Sequence, residues 1–489
     1  MWRGHIQLSV SPQGASEGDL VLVAGYPGRT ARLQTARQVK ELLEWTYPRT
    51  VRRNTELLAL LDGLAKGSKE TALRVNPRVR SLGNAMKKAQ GVLEGARRSG
   101  LLATRQASEL ALVGWMAADP KRRASFGDAL PRLEAIQAGR EKTRERDATL
   151  AALYVQSALL STARTGVRLA AERRRPDAER EGEYQQRNWA RLREGMERME
   201  KSFDPAVDRA LLRFALLEAA ALPAGQRIAP LDAAIGPGAT GDAAAAGKAI
   251  DGYLDRLYAG TRLGAQAVRL QLLERAPAEV TPGDTFVALA TALDPLEQQV
   301  RDEEKTRSGA RSRWAPVHAA ALLEQAGGLL APDANSTLRV TYGTVKGVAP
   351  RDGVLYTAQT RAAGILEKDR PGDAEFDVPA ALRQVLRDRP DRSRNRFADP
   401  KVKDIPVDFL STVDTTGGNS GSAVLDRQGR LCGLLFDGTY ESVASDLLYD
   451  PVSTRSIQVD SRYLLWYLSE VARAGHLLAE LGVEKGASP

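Results

Sequence analysis

A long helix-forming segment divides this chain and leaves strand-forming sequence on either side of it. From about residue 36 to 330 the sequence is rich in Ala, Leu, Arg and Glu, and apolar residues recur at helical spacing, as at Leu150, Leu153 and Tyr154. Breaks at Asp204-Pro205 and Pro282-Gly283 divide the segment into several helices. The pattern predicts an all-α insertion in an otherwise β-structured chain.

Strand patterns occur before and after the helical segment. We predict strands at His5–Val10, Asp19–Tyr26, Leu338–Val348, Val354–Thr360, Phe409–Thr412, Ser422–Leu425, Leu431–Phe436 and Ser456–Val459, and a last helix over Ser461–Leu481. Two six-stranded barrels would need about twelve strands. The eight or so strands predicted here can therefore form one barrel and little more. We therefore expect residues 1–35 and 334–489 to form a single β-barrel, with 36–333 as the inserted helical domain.

The charge pattern and composition exclude several classes of protein. The net charge of +9 comes from 70 basic and 61 acidic residues that are interleaved, as in Glu172–Arg180, so we expect solvated helix surfaces and no nucleic-acid partner. The sequence has no apolar run of about 18 residues and no signal-peptide pattern at its start, which predicts no membrane span. The single cysteine, Cys432, excludes an internal disulfide. No cofactor or metal site is predicted.

The segment Thr415–Val424 carries the clearest chemical signal. It places two glycines and an asparagine before Ser420, then a glycine, a serine and an apolar strand, which is how a chymotrypsin-type nucleophile loop is built. Glycine lets the backbone bend so that the amides of Gly418 and Ser420 can face a substrate carbonyl. The segment therefore predicts a serine nucleophile with an oxyanion hole.

A serine nucleophile of this type needs a histidine base, and the three histidines of the chain lie in other contexts. His5 precedes a short apolar alternating stretch, His318 lies at the head of an Ala/Leu run, and His476 lies in the C-terminal helix. In chymotrypsin-like proteins the histidine comes first in the chain order His, Asp, Ser. We therefore expect that this chain lacks the N-terminal part of its enzyme, including the catalytic His and Asp, and is inactive alone.

Two other functions remain open at this point. Asp414 lies six residues before Ser420, where trypsin-like enzymes hold the acid that binds a basic side chain, so the chain could belong to an endopeptidase. It could also be a non-catalytic helical binding protein built on a relic protease barrel. Taken alone, Asp437-Gly438 is typical of a hairpin turn and Asp414 of a turn residue.

Five segments resemble the bacterial serine dipeptidyl peptidases of the dipeptidyl peptidase seven and eleven type: Asp408–Ser422, Leu434–Gly438, Val459–Trp466, Gly25–Thr30 and Ser81–Lys88. The resemblance implies a chymotrypsin-like double barrel with an inserted helical domain that caps the cleft. It implies release of dipeptides from the free amino termini of oligopeptides. It also implies a periplasmic or cell-surface location and a homodimer. On this resemblance the chain carries the second barrel and lacks most of the first.

The resemblance assigns roles to four residues by their positions. Ser420 falls on the family's nucleophile, and Asp437 falls on a carboxylate that binds the substrate's free α-amino group. Asn84, in the helical segment, matches an asparagine that shares this task. Gly438 falls where the family sets the preference for the residue before the cut, glycine accompanying apolar side chains and arginine acidic ones. These matches imply an exopeptidase with an apolar preference.

Overall fold

The structure is a computed structural model that describes residues 8–373 and 375–483, so His5 and the first half of the strand expected at His5–Val10 lie outside the described residues. The chain is a mixed α/β protein with its helices concentrated between two groups of strands. The α-helices are α1 Ala36–Glu41, α2 Tyr47–Ala65, α3 Lys69–Ser99, α4 Leu101–Ala117, α5 Pro120–Phe126, α6 Ala129–Glu141, α7 Arg144–Gln156, α8 Ala158–Glu172, α9 Trp189–Ser202, α10 Pro205–Ala220, α11 Ala229–Ile235, α12 Ala243–Ala259, α13 Gln266–Gln271, α14 Pro277–Val280, α15 Thr285–Gln325, α16 Ala363–Lys368, α17 Ala380–Asp388, α18 Ser461–Trp466 and α19 Gly475–Glu480.

The strands form one large sheet and one small hairpin. They are β1 Leu20–Gly25, β2 Arg339–Thr344, β3 Val348–Arg351, β4 Val354–Tyr356, β5 Gln359–Arg361, β6 Pro406–Ser411, β7 Ala423–Leu425, β8 Leu431–Gly438 and β9 Ser456–Asp460. Seven of them pair in the antiparallel order β2-β1-β7-β8-β9-β6-β5, and β3 pairs with β4. The N-terminal strand β1 thus lies between two strands from the C-terminal part of the chain.

The large sheet curls so that its two ends approach each other. An isolated bridge joins Val345, just after β2, to Ser411 at the end of β6. The amide of Lys346 donates to the carbonyl of Leu410 at 2.9 Å, and the amide of Thr412 donates to the carbonyl of Thr344 at 3.0 Å. The concave side encloses an apolar core of Ala15, Val21, Val23, Val345, Ala358, Phe409, Val413, Val424, Cys432 and Leu435. Alternation along β1, where Val21 and Val23 are buried, fixes which face points inward.

Local sequence signals explain where the main helices begin. Thr35 caps α1 in a capping box with Gln38, so the helical segment starts at residue 36 as the composition predicts. Asp204 caps α10 with Pro205 in its first turn, and Asp284 caps α15 directly after the Pro282-Gly283 break. No helix within the described residues is both long and apolar enough to cross a membrane.

Contacts group the described residues into two compact units. One contains residues 8–47, 88–108 and 329–483 and includes the sheet, and the other contains residues 48–87 and 109–328 and is helical. The helical unit has a core of Leu, Ile and Ala side chains contributed mainly by α7, α8, α10, α12 and α15. Residues 36–47 and 88–108 belong to the unit that includes the sheet, and Val39, Val92 and Leu447 of this unit share one buried apolar cluster.

A buried ion-pair cluster anchors the last strand. The guanidinium of Arg462 contacts both oxygens of Asp460 and one of Asp399, at 3.0, 2.8 and 2.8 Å, and all three side chains are buried. Arg462 also donates to the carbonyl of Ala15 at 2.6 Å. Removing one partner would leave an uncompensated buried charge, which is strongly destabilising. The Asp-Ser-Arg sequence at the end of β9 is therefore structural.

The C-terminal part contains features that the strand pattern does not predict. Helices α16 and α17 occupy a region for which no helix was expected, and Leu382 and Leu386 of α17 are buried there. The last helix does not run unbroken from Ser461 to Leu481. A π-helical turn, Tyr467–Val471, follows α18, and Arg473 adopts a positive φ of 53° before α19 begins.

Candidate active site

Ser420 lies in an exposed loop between β6 and β7. Its hydroxyl donates a hydrogen bond to the backbone carbonyl of Phe436 on β8, 3.3 Å away. The loop is pinned to β8 on the far side of the serine, because the amide of Gly421 donates to the carbonyl of Leu435 at 2.7 Å. The hydroxyl of Ser420 is therefore held at the surface, beside the residue that precedes Asp437.

The amides needed for an oxyanion hole are unengaged. Among the hydrogen bonds of residues 8–373 and 375–483, none is donated by the backbone amide of Gly418 or of Ser420. Gly418 has a φ of 104°, a conformation that non-glycine residues rarely adopt. Asn419 closes the turn, since its side-chain oxygen accepts from the amide of Thr416 at 3.2 Å and its own amide donates to the Thr416 carbonyl at 3.1 Å. The loop can thus present two amides to a developing oxyanion.

The Gly25–Gly28 segment packs directly behind this loop. The amide of Gly28 donates to the carbonyl of Gly417 at 2.7 Å, and a methyl group on Gly28 would lie 2.5 Å from that oxygen. A methyl group on Gly25 would lie 2.6 Å from the side-chain Nδ2 of Asn419. The sequence pattern predicts a turn here and does not indicate this contact with the loop. Gly25 and Gly28 could have indicated this contact, because glycine often occurs where two backbone segments approach each other closely.

Asp437 and Gly438 end strand β8, next to the carbonyl that Ser420 contacts. The pairing of β8 with β9 shifts register between Leu435 and Asp437, so the strand is irregular at this point. Asp437 is exposed, and one carboxylate oxygen accepts from the amide of Gly438 at 2.8 Å. Within the described part of the chain, no Lys or Arg forms an ion pair with Asp437. The structure therefore places Ser420 and Asp437 close together and leaves the carboxylate open to a cation.

Gly438 faces a small group of polar residues. It pairs in the sheet with Ser456, and a methyl group built on it would lie 3.4 Å from the Arg455 carbonyl and 3.4 Å from the Cβ of Ser442. Those are close van der Waals contact distances, so a methyl group at this position would pack against Arg455 and Ser442. The hydroxyl of Ser442 is fixed by the Arg455 carbonyl at 2.8 Å.

Asp414 is engaged by an arginine that sequence analysis did not identify. Arg32 donates to both carboxylate oxygens, at 2.5 and 2.8 Å. Its Nε donates to the Ser445 carbonyl at 2.9 Å. Burial lowers the pKa of Arg32, but the hydrogen bond and charge of Asp414 outweigh this, so the pKa is raised above its usual value. The acid is already paired, and the positive charge of Arg32 opposes the approach of a basic substrate side chain.

None of the described histidines is a hydrogen-bond partner of Ser420. His476 lies in α19, after the end of the sheet. His318 lies buried in α15 of the helical unit. His5 lies outside the described residues. Asn84 lies exposed on α3, also in the helical unit, and its role stays a prediction.

Comparison with known proteins identifies the family. The model of the Peptidase S46 family matches residues 5–483. An Asp/Glu-specific dipeptidyl-peptidase of Shewanella putrefaciens is 32% identical over 97% of this chain and 66% of its own length. Dipeptidyl-peptidase 7 of Porphyromonas gingivalis is 27% identical over 97% of this chain and 64% of its own length.

A solved structure shows the same overall fold. The crystal structure of Porphyromonas endodontalis DPP11 in complex with the dipeptide Arg-Glu matches 99% of this chain and 67% of that chain, at a TM-score of 0.76 and 25% identity. The chain spans just under two thirds of the length of the relatives it matches. These comparisons do not support the expectation of a missing N-terminal part. The resemblance seen in the sequence is confirmed, and the chain belongs to the Peptidase S46 family.

Proposed function

We propose that this protein is a serine-type dipeptidyl aminopeptidase in which Ser420 is the nucleophile. The observation that carries the proposal is the hydrogen bond from Ser420 to the Phe436 carbonyl, which sets the hydroxyl next to Asp437 in a loop with two unengaged amides. Family membership and the dipeptidyl-peptidase names of the relatives support the reaction class.

Each group has a defined task in acyl transfer. The Ser420 oxygen attacks the scissile carbonyl, and the amides of Gly418 and Ser420 bind the oxyanion that forms. Collapse of the tetrahedral intermediate releases the shortened peptide and leaves a dipeptidyl ester on Ser420, which water then hydrolyses. The proton taken from Ser420 needs a base, and the family resemblance implies a histidine in that role.

Asp437 determines that the enzyme acts on the end of a peptide. Its open carboxylate can bind the α-ammonium group of the substrate by a charge-assisted hydrogen bond. Two extended residues span about 7 Å, so an ammonium held at Asp437 sets the second peptide bond near Ser420. We retain Asn84 as a second ligand of the ammonium group, on the sequence resemblance alone.

Gly438 favours an apolar residue before the cut. The Shewanella putrefaciens relative is named Asp/Glu-specific, so this part of the proposal departs from that relative and rests on Gly438. Gly438 adds neither charge nor bulk, and its neighbours are a backbone carbonyl and the Ser442 side chain. On the family resemblance, glycine at this position accompanies an apolar side chain. The chymotrypsin-like barrel, the division into domains at 35 and 333, the homodimer and the periplasmic location remain further parts of this proposal.

The trypsin-like alternative is disfavoured by one contact. Arg32 occupies both carboxylate oxygens of Asp414, the acid on which that function depends. A non-catalytic binding protein would make no use of a loop that keeps two amides free beside an exposed serine.

Mass spectrometry of the products tests the proposal. The protein is incubated with an octapeptide that has a free amino terminus, and sequential dipeptides are expected. Ser420→Ala should reduce the rate by at least about a thousandfold. Ser393→Ala, which removes an exposed hydroxyl from a loop of the same unit, should leave it unchanged. Fragments with an odd number of residues, single amino acids among them, or an active Ser420→Ala variant would contradict the proposal.

A further inference from the structure

Arg32 and Asp414 form a bidentate ion pair beside the nucleophile loop. The two guanidinium nitrogens of Arg32 reach the two carboxylate oxygens of Asp414, the geometry that gives strong and directional pairing. The pair is not sealed in the core, since the side chains retain 20% and 34% of their exposure. A small molecule can therefore approach these charges.

The pair belongs to the same group of segments as Ser420 and Gly438. Thr415, next to Asp414, contacts the hydroxyl of Ser456 at 2.5 Å, and Ser456 pairs in the sheet with Gly438. The hydroxyl of Ser456 also donates to the Val413 carbonyl at 2.8 Å. The loop that carries Asp414 and the strand that carries Gly438 are thus bridged through one residue.

Arg32 is held in place by contacts other than Asp414. Its Nε donates to the Ser445 carbonyl at 2.9 Å, and its guanidinium lies 5.8 Å from the centre of the Tyr449 ring. Tyr449 in turn donates to the Thr412 carbonyl at 2.7 Å, two residues before Asp414. Asp333 fixes the backbone of the same segment, since it accepts from the amides of Arg32 and Leu33 at 2.7 and 3.1 Å. The arginine is therefore positioned by the fold rather than by its ion pair alone.

We propose that Arg32 is a specificity-determining residue, which neutralises Asp414 and so closes the substrate pocket beside Ser420 to basic side chains. The proposal rests on the proposed peptidase function, because it names the substrates that the same site rejects. A second cation that approaches this carboxylate also meets the like charge of Arg32, which opposes its binding. The pair also hides the positive charge of Arg32 from acidic side chains, which leaves the pocket neutral and agrees with an apolar preference.

Removing either charge of the pair by substitution should leave the other charge unpaired. Arg32→Met leaves the Asp414 carboxylate without its partner and should create affinity for cations. Asp414→Asn leaves the Arg32 guanidinium without its partner and should create affinity for anions. The double variant removes both charges and should have neither affinity, as required if the two residues act on each other.

Binding of benzamidine and benzoate tests these expectations without any need for turnover. The two probes share a ring and carry opposite charges, and their affinities are measured by titration calorimetry on the wild type, both single variants and the double variant. We expect benzamidine to bind Arg32→Met at least about tenfold more tightly than wild type, and benzoate to bind Asp414→Asn at least about tenfold more tightly. Arg383→Met on α17 is the matched control. It breaks an ion pair with Asp369 and should change neither affinity.

A parallel measurement separates this proposal from the proposed function. Fluorogenic dipeptides with Arg, Leu or Glu before the cut are assayed with the complete protein, and Arg32→Met should raise kcat/KM for Arg relative to Leu at least about tenfold. If wild type shows no Ser420-dependent release, the peptidase proposal fails while the probe titrations still decide the role of Arg32. If Arg32→Met does not fold, judged by circular dichroism, Asp414→Asn decides alone. Folded single variants that gain no affinity for either probe would overturn the proposal.

Discussion

The hydroxyl of Ser420 lies 3.3 Å from the backbone oxygen of Phe436, and the next residue along that strand is Asp437. The nucleophile loop thus contacts the end of β8 one residue before the exposed carboxylate of Asp437. On the proposed function, this relationship would give a product of fixed length, because the carboxylate would locate the end of the substrate and the serine would locate the bond.

Gly28 is expected to be required for the shape of the nucleophile loop. In Gly28→Ala the new methyl group would lie 2.5 Å from the Gly417 oxygen, and the loop backbone would have to move. We expect a loss of about 1–3 kcal/mol in the free energy of unfolding and a fall in kcat, because the oxyanion amides shift with the loop.

Gly114→Ala is the control for this change. Gly114 lies in α4, where an added methyl group meets nothing within 4 Å. It should stabilise the protein by up to about 1 kcal/mol and leave kcat unchanged. Denaturant unfolding and steady-state kinetics measure both effects, and a Gly28→Ala variant that behaves like Gly114→Ala would show that the contact with Gly417 is not needed.

Gly438→Arg should change the preference from apolar to acidic side chains before the cut. A side chain can leave this position without a clash, since its first carbon would lie 3.4 Å from its nearest neighbours. The arginine would add a positive charge next to the strand that carries Asp437. Rates on otherwise matched dipeptide substrates with Leu or Glu before the cut check this prediction.

Gly438→Ala is the control that separates bulk from charge. It should slow cleavage after Leu without improving cleavage after Glu. If Gly438→Arg leaves the ratio of the two rates as in wild type, Gly438 does not face the substrate side chain.

Asp408 should make the free energy of unfolding depend on pH. Burial raises the pKa of this carboxyl to about 6, although a hydrogen bond with Thr360 and the charge of Lys368 act in the opposite direction. The unfolded chain releases the proton near pH 4, so between about pH 4 and 6 the folded state binds more protons. The contribution of Asp408 to stability is therefore least unfavourable below pH 4 and becomes fully unfavourable above pH 6.

Asp408→Asn should remove this dependence. At pH 8 we expect the variant to be more stable than wild type by about 1–3 kcal/mol, and at pH 4 the two should differ little. Urea unfolding at both pH values measures the difference, with Asp352→Asn on the exposed β3–β4 turn as the control. A constant difference across the pH range would contradict the assignment.

Much of this architecture can be predicted from local sequence. Strand alternation predicted β1 and β6 to β9 to within a few residues, and Thr35, Asp204 and Asp284 mark helix starts by their own side-chain hydrogen bonds. Such signals are local, since each depends on residues only a few positions apart.

The features that the sequence did not predict depend on contacts between residues that are distant in sequence, or on an unusual backbone conformation. Arg32 and Asp414 are separated by 382 positions, and nothing near either residue indicates the other. The positive φ of Arg473, which ends the last long helix early, occurs at a residue type that normally favours helix. Roles for Asn84, Asp437 and Gly438 came from the family resemblance, because an exposed acid before a glycine is by itself only a turn pattern.

The most direct test of the central claim compares peptides that differ only at their amino terminus. The complete protein is assayed on a free-amine peptide and on its acetylated form, with wild type, Asp437→Ala and the surface control Asp352→Asn. The account predicts that wild type cleaves the free peptide and barely cleaves the acetylated one. Asp437→Ala should lower kcat/KM for the free peptide by about ten- to a hundredfold, because the ammonium loses a charge-assisted hydrogen bond, while Asp352→Asn matches wild type. Equal cleavage of both peptides by wild type, or an Asp437→Ala variant that still prefers the free amine, would contradict it.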